Sequence, residues 1–383
     1  MIQLCAYCGN LKEESELTKE HVIPQNIGGN LNPTNPFALK NVCKRCNNTC
    51  GTYVDGPFIK NWFTHNEKAK NALRFLNLTN DTILPLSYFG VVEGLKYENK
   101  ICELWLGPTG DVIYHLHDPY PQENDISPMV GKPTYVRSNQ IDPGFLFIFI
   151  NSNNPAWHPA IINSVRAQFK DTVLYLANGP TPKGGLFTEI PKTLSELHVK
   201  LSELATTENS LEAIYGMDSG VRFIGKVALG MGTLFLNEDF QTSESATKLR
   251  NFMWAKTPTE REHIPVHGSG FFKGDFTELS EILNRAYCHT LMLLPVGDKL
   301  CLYASFYGTQ TAVIEISSDP KHWENKISFQ GLVFTILPGL QKCVGPLSVL
   351  DYINHNTGVR THHELAELDK IIEKTSEIPP FNI

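Results

Sequence analysis

Cys5-Ala6-Tyr7-Cys8, Lys19-Glu20-His21-Val22-Ile23-Pro24 and Cys43-Lys44-Arg45-Cys46-Asn47, read together, decide the fold of the N-terminal end of this 383-residue chain. Two Cys-x-x-Cys knuckles supply four thiolates, the donor set of a tetrahedral structural zinc site. Such a site contributes folding free energy that a segment this short cannot draw from its own core. Between the knuckles lie 34 residues, more than the roughly 15–20 of a simple zinc ribbon, so a functional insertion is expected there. Disulfides are the competing reading. The start Met1-Ile2-Gln3-Leu4-Cys5 has no charged and apolar leader, which points to a reducing, cytoplasmic setting and to metal. Cys50 is close enough to be an alternative ligand, although a buried free thiol suits it better.

The insertion suits phosphodiester hydrolysis. Glu20 offers a hard oxygen ligand for Mg²⁺ or Mn²⁺, and His21 a base that titrates near neutrality. Neighbouring side chains on an extended strand face opposite ways, so both can serve one site only where the backbone bends. Val22-Ile23-Pro24 and the loop through Gly28-Gly29 supply such an ending. Asn47 would open a helix, where its amide oxygen can complete the coordination begun by Glu20.

At these residues the chain resembles the HNH endonuclease superfamily, with its ββα-metal (His-Me finger) site. The matching set is Cys5-x-x-Cys8, Glu20-His21-Val22-Ile23-Pro24, Gly28-Gly29, Asn41-Val42-Cys43-Lys44-Arg45-Cys46-Asn47-Asn48, Gly51 and Val54-Asp55, within about the first 60 residues. The resemblance implies His21 as general base, Glu20 and Asn47 as ligands of the catalytic Mg²⁺ or Mn²⁺, and Cys5, Cys8, Cys43 and Cys46 on zinc. Many relatives carry Asp or His where this chain has Glu20. The asparagine that orients the base is open between Asn35 and Asn41. Lys44 and Arg45 are placed to touch backbone phosphates, which adds affinity without sequence information.

The implied fold class is α+β, a small zinc-stapled ββα-metal nuclease domain followed by a larger mixed domain with antiparallel strands. Residues 1–76 form the first expected domain and 77–383 the second, with divisions near 190 and 290 left open and a linker around 77–81. A helix is expected from Pro57 to about Phe75. The segments 101–106 and 112–116 read as a hairpin, and 144–150 as a buried strand. Helices are expected from about 192 to 254, on the spacing of Leu194, Leu197, Leu201 and Leu204 and of Phe223, Val227, Met231 and Leu234. A further helix, 277 to 287, precedes a meander of 289–294, 299–306 and 311–316, then a strand over 327–336. Gly230-Met231-Gly232 lacks the third glycine of a dinucleotide fingerprint. His362-His363 with Glu364 is a weak metal candidate.

With 42% hydrophobic and 19% charged residues the composition is that of a globular protein, and no apolar run is long enough to span a bilayer. The net charge of −7 divides unevenly: residues 1–75 carry nine Lys/Arg against six Asp/Glu, and the remainder is net −10. An acidic body weakens indiscriminate binding to nucleic acid. The favoured expectation is therefore a DNA endonuclease, RNA not excluded, gated or targeted by its C-terminal part through a ligand, a protein partner or homo-oligomerisation. Bacterial anti-phage defence effectors resemble that layout. The alternatives are a site- or modification-specific restriction endonuclease that reads DNA directly, and a non-catalytic zinc-dependent docking scaffold.

Overall fold

The computed structural model describes residues 2–29, 31, 35–59, 61–75, 83–84, 86–95, 97–107, 109–119, 143–153, 155–178, 187–207, 218–257, 259–261, 264–267 and 277–375. The expected linker at 77–81 lies outside them. The protein is a mixture of helices and largely antiparallel sheets, as expected for the α+β class.

The N-terminal segment begins with a small hairpin, β1 (Ile2–Leu4) and β2 (Leu11–Glu13), whose turn holds the first knuckle. A second antiparallel pair follows, β3 (Leu17–His21) and β4 (Ala38–Cys43). The register slips between Thr18 and Glu20, a bulge that re-aims the side chains at the strand's end. Helix α1 (Lys44–Cys50) carries the second knuckle and runs through a wide-pitched turn, Gly51–Asp55, into α2 (Gly56–Ile59).

Residues from Lys60 to Gly216 form one compact unit. It contains α3 (Trp62–Phe75), strands β5 (Ser87–Val91), β6 (Ile101–Leu106), β7 (Val112–His117) and β8 (Phe145–Phe149), α4 (His158–Gln168), β9 (Val173–Leu176) and α5 (Ser195–Thr206). The strands make one sheet in sequence order, antiparallel except for β8 with β9. That parallel pair needs a crossover, and α4 provides it. On one face Trp105, Ile113, Leu146 and Ile148 pack with Val165 and Phe169. On the other, Tyr114, Leu116, Phe147 and Phe149 pack with Leu197 and Leu201 of α5. Both faces are covered, which is why β8 reads as an unbroken apolar run.

The second unit joins Met1–Ile59 to Met217–Ile378. Its C-terminal part runs α6 (Asp218–Phe235), α7 (Glu244–Trp254), β10 (Val266–His267), α8 (Thr277–Leu283), β11 (His289–Val296), β12 (Lys299–Phe306), β13 (Gln310–Ser317), β14 (Leu332–Leu337), β15 (Lys342–Leu347), α9 (Val349–Asn356) and α10 (His363–Thr375). The sheet order is β10-β13-β12-β11-β14-β15, antiparallel throughout. Leu291, Leu293, Leu302 and Ala304 face α6, α7 and the N-terminal segment. Met292, Tyr303 and Val333 face Tyr352 and Leu365.

The packing parts between 59 and 60 and between 216 and 217. Tyr7, Val22, Phe37 and Phe58 share one core with Phe223, Phe306 and Phe334. Phe58 stacks on Phe223 at 3.9 Å, and Phe37 meets Phe334 edge-on at 5.2 Å. The strand expected over 327–336 starts at Leu332, because Gly331 takes a positive φ of 66° and turns the chain just before it. Gly230 and Gly232 lie inside α6. A side chain at Gly230 would strike Val22, and one at Gly232 would strike Phe240. These glycines serve close packing, at a typical helix cost of about 0.5–1 kcal/mol each relative to alanine.

Candidate functional site

Cys5 and Cys8 sit in the β1–β2 turn, Cys43 ends β4 and Cys46 lies in the first turn of α1. Their four sulfurs lie within 4.8 Å of one another. A zinc ion with bonds of about 2.3 Å to four thiolates sets its sulfurs roughly 3.8 Å apart, so the donor set and its compactness fit zinc. The Cys43 N–H donates to the Cys5 sulfur at 3.3 Å. Hydrogen bonding with Cys46 pulls the Cys5 thiol well below its ordinary range, and the same contact pushes Cys46 up. Helix α7 braces the first knuckle: Arg250 Nε donates to the Ala6 carbonyl at 2.9 Å, and Trp254 Nε1 to the Tyr7 carbonyl at 2.8 Å.

His21 ends β3 with its ring between two amides. Asn35 Nδ2 lies 2.8 Å from Nδ1, and Gln25 Nε2 lies 2.9 Å from Nε2. The Asn35 amide is oriented by its other bonds, since its oxygen accepts from the Phe37 N–H and its nitrogen donates to the Gly29 carbonyl. It therefore donates to Nδ1, and the neutral ring carries its proton on Nε2. An imidazole has one acceptor nitrogen in that state, so the Gln25 amide must turn its oxygen toward Nε2–H. Burial, with Lys19 second, lowers the His21 pKa and keeps the ring neutral. Gly28, at φ 91°, and Gly29 make this loop possible, because a side chain at either would strike Pro338 or the Ile23 carbonyl. Asn41 serves elsewhere, donating to the Leu4 carbonyl and to Gln241. Of the two orienting candidates, Asn35 is the one brought to His21.

Glu20 points the other way, into the core, at 5% exposure. Its Oε1 is 2.9 Å from Nζ of Lys226 on α6 and 3.4 Å from the Tyr7 hydroxyl. The same fully buried ammonium lies 3.1 Å from both carboxylate oxygens of Asp55 and donates to the His21 carbonyl at 2.9 Å. Burial works against this ammonium, but Asp55, Cys50 and Glu20 outweigh it and hold the lysine above its ordinary range. Burial raises Asp55 to about 6, with Lys226 pulling the other way. Glu20, Cys50 and Asp55 have ligand atoms within 4.8 Å of one another, and Lys226 engages both carboxylates. The Asn47 amide nitrogen meanwhile donates to Thr18 Oγ1 at 3.0 Å and to the Lys19 carbonyl at 3.1 Å. Glu20 is thus held by Lys226, while Asn47 is held through its amide nitrogen alone.

Sequence reasoning missed Lys226 and assigned no role to Asp55. The available signal was a lysine between Phe223 and Val227 on an otherwise apolar helix face, since a buried lysine requires a partner. It also missed Gln25. Lys44 and Arg45 are exposed. They line a cleft of about 570 Å³ beside the knuckles, together with Lys12, Asn10, Thr49 and Trp254. Cys50 is buried apart from the four-sulfur cluster, next to Glu20 and Asp55. His362, His363 and Glu364 do not form a metal-sized cluster among the described residues.

Residues 5–63 match the model of a family described as HNH endonuclease. No curated protein and no solved structure matches the chain. Among the described residues, no helix is long and apolar enough to cross a membrane.

Proposed function

We propose that this protein is a nucleic-acid phosphodiester hydrolase, acting on DNA in the first instance, with His21 as general base. The observation that carries the reading is the half-buried, neutral His21 ring, positioned by Asn35 within the segment that matches the HNH endonuclease family. His21 takes a proton from a water aimed at phosphorus; the resulting hydroxide displaces the 3′ oxygen, which takes a proton from solvent, leaving 5′-phosphate and 3′-hydroxyl ends. Lys44 and Arg45 hold backbone phosphates along the cleft. The C-terminal part controls the site through α6, whose Lys226 grips both Glu20 and the main chain of His21. A change of state in that part therefore reaches the base directly.

The engagement of Glu20 by Lys226 favours a second reading, a zinc-stapled docking module without catalysis. Zinc-loaded full-length chain and His21→Ala, incubated with supercoiled plasmid and with single-stranded DNA, with and without Mg²⁺ or Mn²⁺, separate the two. Cleavage that falls about 10²–10⁴-fold in His21→Ala, the usual contribution of a general base, supports the hydrolase. Binding without cleavage by the wild type overturns it in favour of the docking module.

A further inference from the structure

The hairpin of β6 and β7 places Glu103 directly across from His115, with His117 two residues further along the same face. Glu103 and His117 are buried and His115 partly so: the Glu103 side chain is 0% exposed, His115 12% and His117 2%. His115 Nε2 lies 2.9 Å from the Pro143 carbonyl, and His117 Nδ1 lies 2.7 Å from the Asp118 carbonyl. A carbonyl only accepts, so each of these nitrogens carries a proton. In a neutral ring the other nitrogen then carries a lone pair. Those other nitrogens, His115 Nδ1 and His117 Nε2, point at the two oxygens of Glu103, each at 3.5 Å.

Two lone pairs and a carboxylate converging at a buried point repel one another, and a cation among them relieves that repulsion. Two added protons would supply the charge, but charge-assisted N–H···O⁻ bonds close to about 2.7–2.9 Å, well short of 3.5 Å. Nitrogen and oxygen donors bound at about 2.0–2.2 Å to a tetrahedral ion stand roughly 3.3–3.6 Å apart. The spacing matches an ion better than a pair of protons. The surroundings also match, since histidines that bind a metal give their second N–H to a carbonyl and ligating carboxylates are themselves hydrogen-bonded. Here Trp105 Nε1 donates to Glu103 Oε2 at 3.1 Å. The Phe169 ring lies 4.9 Å from His115.

The geometry points to a binding site for a tetrahedral first-row transition dication, zinc in kind, held by Glu103, His115 Nδ1 and His117 Nε2. Imidazole donors and tetrahedral spacing select against Mg²⁺ and Ca²⁺, which take oxygen ligands at higher coordination number. Three protein ligands leave the fourth position for water or a ligand atom. The site is independent of the four cysteines and of the hydrolase reading.

Full-length chain is stripped with chelator under reducing conditions and titrated with Co²⁺ alone. We expect two equivalents to bind, one with intense thiolate-to-cobalt charge-transfer absorption and one with only the visible bands of nitrogen and oxygen ligation. His115→Ala/His117→Ala removes the second and keeps the first, and the retained charge-transfer band reports that the rest of the chain has folded. Glu103→Gln, a milder change, weakens the second by tenfold or more. A wild type that binds a single equivalent with thiolate character only overturns the proposal, with no recourse to the variants. So does a double histidine variant that still binds both.

Discussion

The two units each bury a carboxylate, and they treat it in opposite ways. Glu20 in the N-terminal segment, with Asp55 beside it, is met by a cation the chain itself provides, Lys226. Glu103 in the unit from Lys60 to Gly216 is met by two imidazoles whose protonated nitrogens face away from it. A buried anion requires a counter-charge in either case. A lysine supplies a fixed one that ties two chain segments together, while imidazole lone pairs leave the place to an ion that can exchange. Lys226 therefore makes the first cluster a structural joint, and the lone pairs make the second a candidate binding site.

Removing the joint is the strongest way to break that contrast. Lys226→Met leaves Glu20 and Asp55 buried without a counter-charge, and breaking a buried pair on one side typically costs about 3–5 kcal/mol. Denaturant unfolding of wild type and variant measures the loss. The comparison sharpens if Mg²⁺ or Mn²⁺ is then added. A variant whose stability now rises with the ion, where wild type is indifferent, shows that lysine and ion compete for the same oxygens. A variant indifferent to the ion shows that the cluster serves the lysine alone.

His289 is a third solution to the same problem, a buried base kept neutral. Its Nε2–H donates to the Ile27 carbonyl at 2.7 Å and its Nδ1 accepts from the Tyr307 N–H. Burial, partly opposed by the Ile27 contact, lowers its pKa to about 4. The unfolded chain takes up this proton near pH 6.5 and the folded one only near 4. The stability it carries is thus complete above pH 6.5 and is lost as pH falls toward 4, by about 3 kcal/mol. Asp55, raised to about 6, works in the opposite direction in the same window, since its folded form takes up the proton first. The difference between wild type and His289→Gln isolates the histidine, and the variant should show the shallower acid loss between pH 6.5 and 4.

The smallest effect expected concerns the two asparagines. Asn35→Ala frees the His21 ring and should reduce cleavage about 10-fold or more while costing only about 1 kcal/mol of stability. Asn41→Ala, which loses its bonds to Leu4 and Gln241, should cost a similar stability and leave turnover per folded molecule unchanged. Equal loss of turnover in both would remove Asn35 from the positioning role.

What the sequence made legible was local. The knuckles, the hairpin of β6 and β7, the meander of β11 to β13 and the spacing of α5 and α6 all follow from residues close together in the chain. Lys226 was illegible because its partners lie 171 or more positions away, and nothing local announces a contact at that range. The Glu103 cluster was a different kind of miss. His115 and His117 alternate on one strand face, and pairing Leu106 with Val112 at the turn already sets Glu103 opposite His115. That register could have been counted from the predicted hairpin. That Phe58 and Phe223 belong to one core was illegible for the first reason: sequence distance conceals it.

The core that joins Met1–Ile59 to Met217–Ile378 also sets a timetable during synthesis. The N-terminal segment leaves the ribosome early, with its cysteines able to take up zinc at once, yet Gly230 and Lys226 follow only after the whole intervening unit. At about 5–20 residues per second, the delay is on the order of 10–35 s. Throughout that interval Glu20 and Asp55 await their lysine and Val22 its helix. A chain interrupted before α6 would carry the complete motif from Cys5 to Asn47 and none of the packing that closes over it.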